Sequence, residues 1–247
     1  MYTVSQYIKH LGDEFKKLDW SDSVECIIVF GSLINIPSLT KNKDIDLCFV
    51  LKNRDELVLN NLRGYVKERF ITPDLTIYYK DELLGNMPFR DIGNGIFALE
   101  YFALGKTIFG SNIFIDLFTN ASKEEYKKSL VDKIFDYILR IRREHIILEE
   151  KLARREYLNK YLIRLVIDIL IFLEIETLEN LSKLNFKKDN EILRIAYNND
   201  IIKIDDVGIL NKHFNNFEYG FLYNLYIQLS NNIETILEKP MPNNGYK

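Results

Sequence analysis

Two strand-like segments joined through a Gly-Ser turn constrain the fold of this chain more than any other feature. Val24–Phe30 is apolar and runs directly into Gly31 and Ser32. After eleven further residues come Asp44 and Asp46, each followed by an apolar residue. Residues two apart on a strand point to the same face. We therefore predict that the two carboxylates lie side by side while the residue between them faces a core.

The residue types in this pattern suit phosphate and metal chemistry. Two neighbouring carboxylates repel each other unless a cation lies between them, and oxygen ligands suit a divalent ion. The turn offers backbone N–H groups and the Ser32 hydroxyl to a phosphate, and Gly31 has no Cβ to block its approach. A phosphate-binding turn beside a paired-acid metal site indicates nucleotidyl transfer.

This arrangement resembles the signature of the DNA polymerase β-like nucleotidyltransferase superfamily, over about residues 20–110. The signature is an apolar residue, Gly-Gly or Gly-Ser, roughly ten residues, and Asp-x-Asp. That superfamily completes its site with a third carboxylate on a neighbouring strand, and Asp74 at the start of a β-rich run takes that place here. Asp81 and Glu82 compete for the role, although acids at this position also suit the first turn of a helix.

The resemblance implies a reaction and a set of roles. Asp44, Asp46 and Asp74 are the expected catalytic residues and metal ligands, and two Mg²⁺ ions are the expected cofactors. Asp74 either binds the second ion or accepts a proton directly. Gly31 and Ser32 position the phosphates of an NTP, with ATP the favoured substrate. The expected products are pyrophosphate and a hydroxyl acceptor carrying a nucleoside monophosphate.

The whole chain reads as an α+β protein of two domains. We predict a polymerase β-like nucleotidyltransferase domain at 1–118, with a small mixed sheet and flanking helices, followed by an all-α helical bundle at 119–247. The predicted strands are 24–30, 46–51 and 74–79, and the predicted helices of the first domain are 4–18, 54–70, 81–84 and 96–104. Residues 105–110 are predicted to form a turn and a short extended piece.

Helical periodicity dominates from Ser122 onward, where glycine and proline nearly vanish. Ser122 and Glu125 form a capping-box pattern, and an apolar stripe then runs through His145 to Leu152, which predicts one long helix. A histidine within such a stripe is expected to be packed and hydrogen-bonded. Further helices are predicted at 156–181, where Arg164 and Asp168 are spaced to pair across a turn, and at 190–198 and 221–238.

The bundle resembles the HEPN-type bundles that accompany small nucleotidyltransferases. Active members of that group carry an Arg–His pair that cleaves RNA. Residues 213–220 occupy the matching place without such a pair, and Arg140 and His145 lie on a different helix, so ribonuclease activity is not expected. The basic run from Arg140 to Arg155 is interleaved with acids. It is either a solvated face or a source of one or two arginines that bind triphosphate or an anionic acceptor.

Three acceptors or roles stay open. A catalytic domain followed by a helical bundle is similar in architecture to the aminoglycoside nucleotidyltransferases, which favours a small-molecule hydroxyl acceptor. A toxin–antitoxin-type module that modifies a protein or RNA is the first alternative, and a catalytically idle binding protein is the second. A homodimer is compatible with each of them.

Composition narrows the remaining classes. A net charge of −3 and a pI of about 5.8 argue against a broad nucleic-acid footprint. No signal peptide or membrane span is recognised, so a cytoplasmic protein without membrane partners is expected. Cys26 and Cys48 lie in apolar strand sequence and are expected to be buried free thiols.

Overall fold

The computed structural model of the chain describes residues 4–31, 45–69, 73–84, 95–183, 189–211 and 217–238. The chain divides into two compact units, Met1–Tyr126 and Lys127–Lys247. The described part of the first unit combines a sheet with helices, and that of the second unit is helical, so the chain is α+β as predicted. The predicted boundary between a catalytic domain at 1–118 and a helical bundle at 119–247 stays a prediction. Among the described helices, none has both the length and the apolar composition needed to cross a bilayer.

A four-stranded mixed sheet forms the centre of the first unit. Its strands are β1 (Val24–Phe30), β2 (Ile45–Leu51), β3 (Pro73–Tyr79) and β4 (Lys106–Gly110). The order across the sheet is β3-β2-β1-β4, with β1 antiparallel to both of its neighbours and β2 parallel to β3. Parallel neighbours require a crossover connection, and helix α2 (Glu56–Arg69) supplies it here. Residues 106–110 are extended, as predicted, but their position beside β1 has no signal in the sequence.

Both faces of the sheet are covered, and alternate strand residues divide between two cores. Leu47 and Phe49 of β2 belong to a core with α1 (Val4–Phe15) and α2. Cys48 and Val50 belong to a second core on the opposite face. That second core includes residues of α3 (Lys80–Leu84), α4 (Gly95–Ala103) and α5 (Ile113–Thr119). Cys26 and Cys48 are buried free thiols, as predicted.

The helices of the second unit pack mainly around one long apolar helix. They are α6 (Lys123–Ile147), α7 (Lys151–Phe172), α8 (Leu178–Lys183), α9 (Asp189–Asn198) and α10 (Tyr219–Leu237). Helix α7 contacts α9 and α10 and has buried residues around most of its circumference. The predicted capping box starts α6: the Glu125 N–H donates to Ser122 Oγ at 3.2 Å, and the Ser122 N–H donates to Glu125 Oε2 at 3.3 Å.

Two predicted helix boundaries in this unit are wrong. The first helix does not continue to Leu152, because α6 ends at Ile147 and α7 starts at Lys151. At this turn the Arg154 guanidinium donates to the Glu149 carbonyl at 2.6 Å and satisfies a backbone acceptor outside either helix. Leu152, predicted to continue the buried stripe, is 56% exposed.

The predicted helix 156–181 is also interrupted, because α7 ends at Phe172. Glu174 adopts a left-handed conformation with φ 56°, and the Ile175 N–H donates to the Leu170 carbonyl at 3.0 Å. This is a Schellman-type end, a position that usually carries glycine. Asp200 has φ 55° after α9, where the Ile201 N–H donates to the Ala196 carbonyl at 2.9 Å. Neither non-glycine stop has a strong local sequence signal.

Asp168, a buried carboxyl group in α7, should make the stability of the protein depend on pH. It is 1% exposed, and its Oδ2 has no hydrogen-bond partner among the described residues. Burial raises the pKa of Asp168 well above its ordinary value, opposed by Lys133 and Arg164. The unfolded chain ionises near the ordinary aspartate pKa of about 3.9. The stability that Asp168 contributes is therefore fully present below that pH and is lost as the pH rises toward its folded-state pKa. We expect Asp168→Asn to reduce this decline, measured by urea unfolding at a series of pH values.

Asp189 provides the matched control because burial raises its pKa in the same direction. Burial raises the pKa of Asp189 to about 7, against the hydrogen bond that Asn159 donates to it at 3.2 Å. Asp189→Asn should remove only the part of the decline below about pH 7. An unchanged pH slope in Asp168→Asn would contradict a raised pKa of the buried Asp168 carboxyl group.

Candidate functional site

Asp46 and Asp74 are register partners on the two parallel strands of the sheet. Asp46 on β2 pairs with Asp74 on β3, so both side chains leave the same face of the sheet. Asp46 is half-buried and Asp74 is exposed. The prediction that Asp74 shares a face with Asp46 is confirmed by this register. The pair therefore presents two carboxylates at one level of the sheet, near the ends of β2 and β3 where these strands begin.

Gly31 lies directly against the Asp46 carboxylate. It follows β1, whose last residue Phe30 pairs with Asp46 across the antiparallel ladder. Gly31 has φ +74°, and a Cβ on this residue would lie 2.0 Å from Asp46 Oδ2. Glycine is thus required here twice, for its backbone conformation and for the space that the carboxylate occupies. The sequence predicted that Gly31 leaves space for a phosphate, but it gave no sign of this contact with Asp46.

Two of the five predicted site residues lie outside the described residues. Ser32 falls in 32–44 and so does Asp44, the first acid of the Asp-x-Asp pattern. Within the described ranges no group of three or more His, Cys, Asp or Glu side chains is close enough to hold a metal ion. The described part of the site therefore consists of Gly31, Asp46 and Asp74, and the assignments of Asp44 and Ser32 stay predictions.

Asp81 and Glu82, the two acids that compete with Asp74, lie at the start of α3 and have other partners. The Arg54 guanidinium forms ion pairs with Asp81 and, at 2.9 Å, with Glu82. It also lies 4.8 Å from the centre of the Tyr79 ring. Glu82 Oε2 accepts the Tyr79 N–H at 3.0 Å at the start of α3. Both acids thus have the helix-start role that their position predicted, which leaves Asp74 as the available carboxylate. The part played by Arg54 has no local sequence signal, because its partners lie 27 and 28 residues away.

The faces of β3 agree with the prediction except at one position. Tyr78 lies four residues after Asp74 and faces the same side of the sheet. Its ring centre is 5.8 Å from those of Phe102 and Phe114. Leu75 packs against the opposite core, as expected. Ile77 was also expected in that core but is 39% exposed, because β3 is an edge strand and the core thins there.

Arg140 and His145 of the second unit have separate partners. Arg140 Nε lies 2.8 Å from Asp136 Oδ2. His145 Nδ1 is hydrogen-bonded to the Tyr219 hydroxyl, and its ring stacks 4.9 Å from the Tyr223 ring. The predicted packed and hydrogen-bonded histidine is thereby confirmed. This arrangement agrees with the view that the two residues do not form a catalytic pair.

Other cations of the basic run are bound within the second unit. Arg142 donates to the Tyr226 hydroxyl at 3.0 Å and to Ser230 Oγ at 2.9 Å. Arg143 pairs with the neighbouring Glu144 at 2.6 Å. These intramolecular contacts favour the interpretation of a mixed, solvated face over a triphosphate-binding one.

In three dimensions the chain resembles a solved adenyltransferase at low similarity. No protein-family model matches the sequence, and no curated protein matches it. One similar structure is spectinomycin adenyltransferase AAD(9) from Enterococcus faecialis, solved with ATP and spectinomycin. Its sequence identity is 13% and its TM-score 0.46, over 94% of this chain and 99% of that chain. A likeness at this level carries no argument about ligands or chemistry, which must come from the residues of this chain.

Substitution of Gly31 tests its contact with Asp46. We expect Gly31→Ala to lower the free energy of unfolding by about 1–3 kcal/mol, because alanine is strained at this φ and its Cβ displaces a carboxylate. Gly64 in α2 is the matched control: a Cβ there meets nothing within 4 Å. Gly64→Ala should raise stability by about 0.5–1 kcal/mol, as in an ordinary helix interior. Urea denaturation measures both, and equal effects of the two substitutions would refute the special role of Gly31.

Proposed function

We propose that this protein is a Mg²⁺-dependent nucleotidyltransferase that moves AMP from ATP to a hydroxyl group of a small molecule. The observation that supports this most is the pairing of Asp46 with Asp74 on one face of the sheet, with Gly31 against the Asp46 carboxylate. Two carboxylates beside a glycine turn combine oxygen ligands for a cation with backbone N–H groups for phosphate.

The residues of the site fit a magnesium ion. Asp46 and Asp74 supply hard oxygen donors from two adjacent strands, and the missing Cβ of Gly31 leaves room for the Asp46 carboxylate. Asp44, Asp46 and Asp74 would hold the ions in this proposal. When bound, Mg²⁺ would neutralise phosphate charge and lower the pKa of an oxygen bound to it.

The side chains themselves divide the remaining work. Gly31 and Ser32 would position the β- and γ-phosphates, so that the α-phosphorus faces the acceptor. The acceptor oxygen forms a bond to that phosphorus, the bond to pyrophosphate breaks, and Asp74 takes the proton of the hydroxyl group. Asp74 suits this role because its side chain is exposed, whereas Asp46 is half-buried against Gly31.

The acceptor follows from the architecture rather than from the carboxylates. A sheet-containing unit followed by a helical unit resembles the aminoglycoside nucleotidyltransferases, whose acceptors are small hydroxylated molecules. Arg140 and Arg143 on α6 are paired with acids of the same helix, which gives no support to an RNA acceptor. A small-molecule acceptor is therefore the favoured choice.

Replacement of the two paired carboxylates should separate binding from transfer. We expect Asp46→Asn to lose Mg²⁺-dependent ATP binding and Asp74→Ala to retain much of it, while both lower the rate of transfer at least about a hundredfold. Asp81→Asn is the matched control, because this neighbouring acid is bound by Arg54, and it should keep activity close to that of wild type. Labelled ATP with Mg²⁺ measures both properties, and undiminished transfer in Asp46→Asn would exclude the proposed site.

A panel of acceptors tests the substrate class. The purified full chain is incubated with each labelled NTP, Mg²⁺ and, in separate reactions, aminoglycosides, RNA and no added acceptor. We expect label on an aminoglycoside-type molecule and pyrophosphate release that depends on it. Label on RNA or on the protein itself would identify the alternative module, and ATP binding without any transfer would identify an idle binding protein.

A further inference from the structure

Helix α6 carries two apolar stripes, of which only one is buried. The buried stripe contains Leu130, Ile134, Tyr137, Ile138 and Ile141. The second stripe contains Phe135, Leu139 and Ile146, which are 40%, 61% and 82% exposed. At 100° per residue these three side chains lie within about 40° of one another around the helix. A helix with one solvated face usually carries polar residues there, so a second apolar stripe indicates a partner.

Two charged residues continue the exposed stripe on either side of Phe135 and Leu139. Asp132 and Arg142 are both exposed, and the positions 132, 135, 139, 142 and 146 follow alternating steps of three and four. That spacing is the seam of a coiled coil. Asp132 forms no ion pair within the described ranges. Arg142 donates only to two hydroxyl groups there, so no carboxylate balances its charge in that part of the chain.

We propose that this exposed stripe binds the same stripe of a second copy of the chain, with the two α6 helices antiparallel. The two-fold axis crosses the stripe level with residue 137, and residues equally far on either side of it face each other. Phe135 then packs on Leu139 of the partner subunit. Asp132 faces Arg142 of the partner subunit, and the symmetry repeats both contacts.

Charge complementarity selects this occupant and this direction. Parallel pairing in register would bring Asp132 against Asp132 of the partner subunit and Arg142 against Arg142 of the partner subunit, and like charges repel. The antiparallel arrangement joins opposite charges at both ends of the apolar contact. Because Asp132 and Arg142 lie equally far on either side of the Phe135 and Leu139 pair, this part of the stripe is complementary to itself, as a two-fold interface requires.

The first experiment measures the mass of the full chain in solution over a range of concentrations, by sedimentation or light scattering. We expect a wild-type dimer, and Leu139→Glu should weaken it about a hundredfold or more, because both copies of the substitution enter the apolar contact. Leu57→Glu is the matched control: Leu57 is 66% exposed on α2, outside the stripe, and its substitution should leave the dimer intact. Circular dichroism checks that both variants remain folded.

The second experiment uses the charges. Asp132→Arg places like charges opposite each other in its own homodimer, and so does Arg142→Asp. Each variant alone should be monomeric at a concentration where wild type is dimeric. An equimolar mixture should form a heterodimer, because each basic side chain then faces an acidic one: one ion pair is that of wild type and the other has its charges exchanged. A tag on one variant identifies the mixed species.

Three results would overturn the proposal. These are a wild-type chain that stays monomeric up to roughly millimolar concentration, a dimer that Leu139→Glu leaves unchanged, and folded charge variants that fail to associate when mixed. None of these results bears on ATP binding or transfer, so the dimer and the proposed enzyme can fail independently.

Discussion

The pairing of β2 with its two neighbours is the interaction on which the rest of the first unit depends. β2 lies between β1 and β3, and its residues alternate between two buried cores. A shift of one residue in either pairing would turn Leu47 and Phe49 out of one core and Cys48 out of the other. The free energy of burying both sets fixes the register. The register in turn sets Asp46 beside Asp74 and opposite Phe30.

The position of the candidate site is thus a consequence of packing, because Asp46 and Asp74 lie where β2 and β3 begin and the buried apolar residues of these strands follow them. Burial of Cys48 and Val50 on one face obliges Asp46 to point to that same face. Gly31 then leaves space for its carboxylate. Two neighbouring carboxylates repel each other unless a cation lies between them, which is the physical reason for proposing a metal at this place.

Many polar side chains of the second unit contact other residues of that unit. His145 is held between two tyrosines, and Asp168 is buried within α7 where burial raises its pKa. Charged groups in such positions act on stability and on the geometry of the helices. The outer face of α6 combines exposed apolar side chains with two charges, Asp132 and Arg142, that form no ion pair among the described residues.

The sequence by itself determined the local features of this protein. Strand alternation predicted β1 and β2, and the Ser122 capping box predicted the start of α6. These depend on neighbours within a few residues. Only the tertiary structure decided that β4 joins β1, that Arg54 pairs with Asp81 and Glu82, and that α7 ends at Phe172, just before the left-handed Glu174. Such outcomes depend on contacts between distant parts of the chain, whose free energies outweigh the local preferences that a sequence pattern expresses.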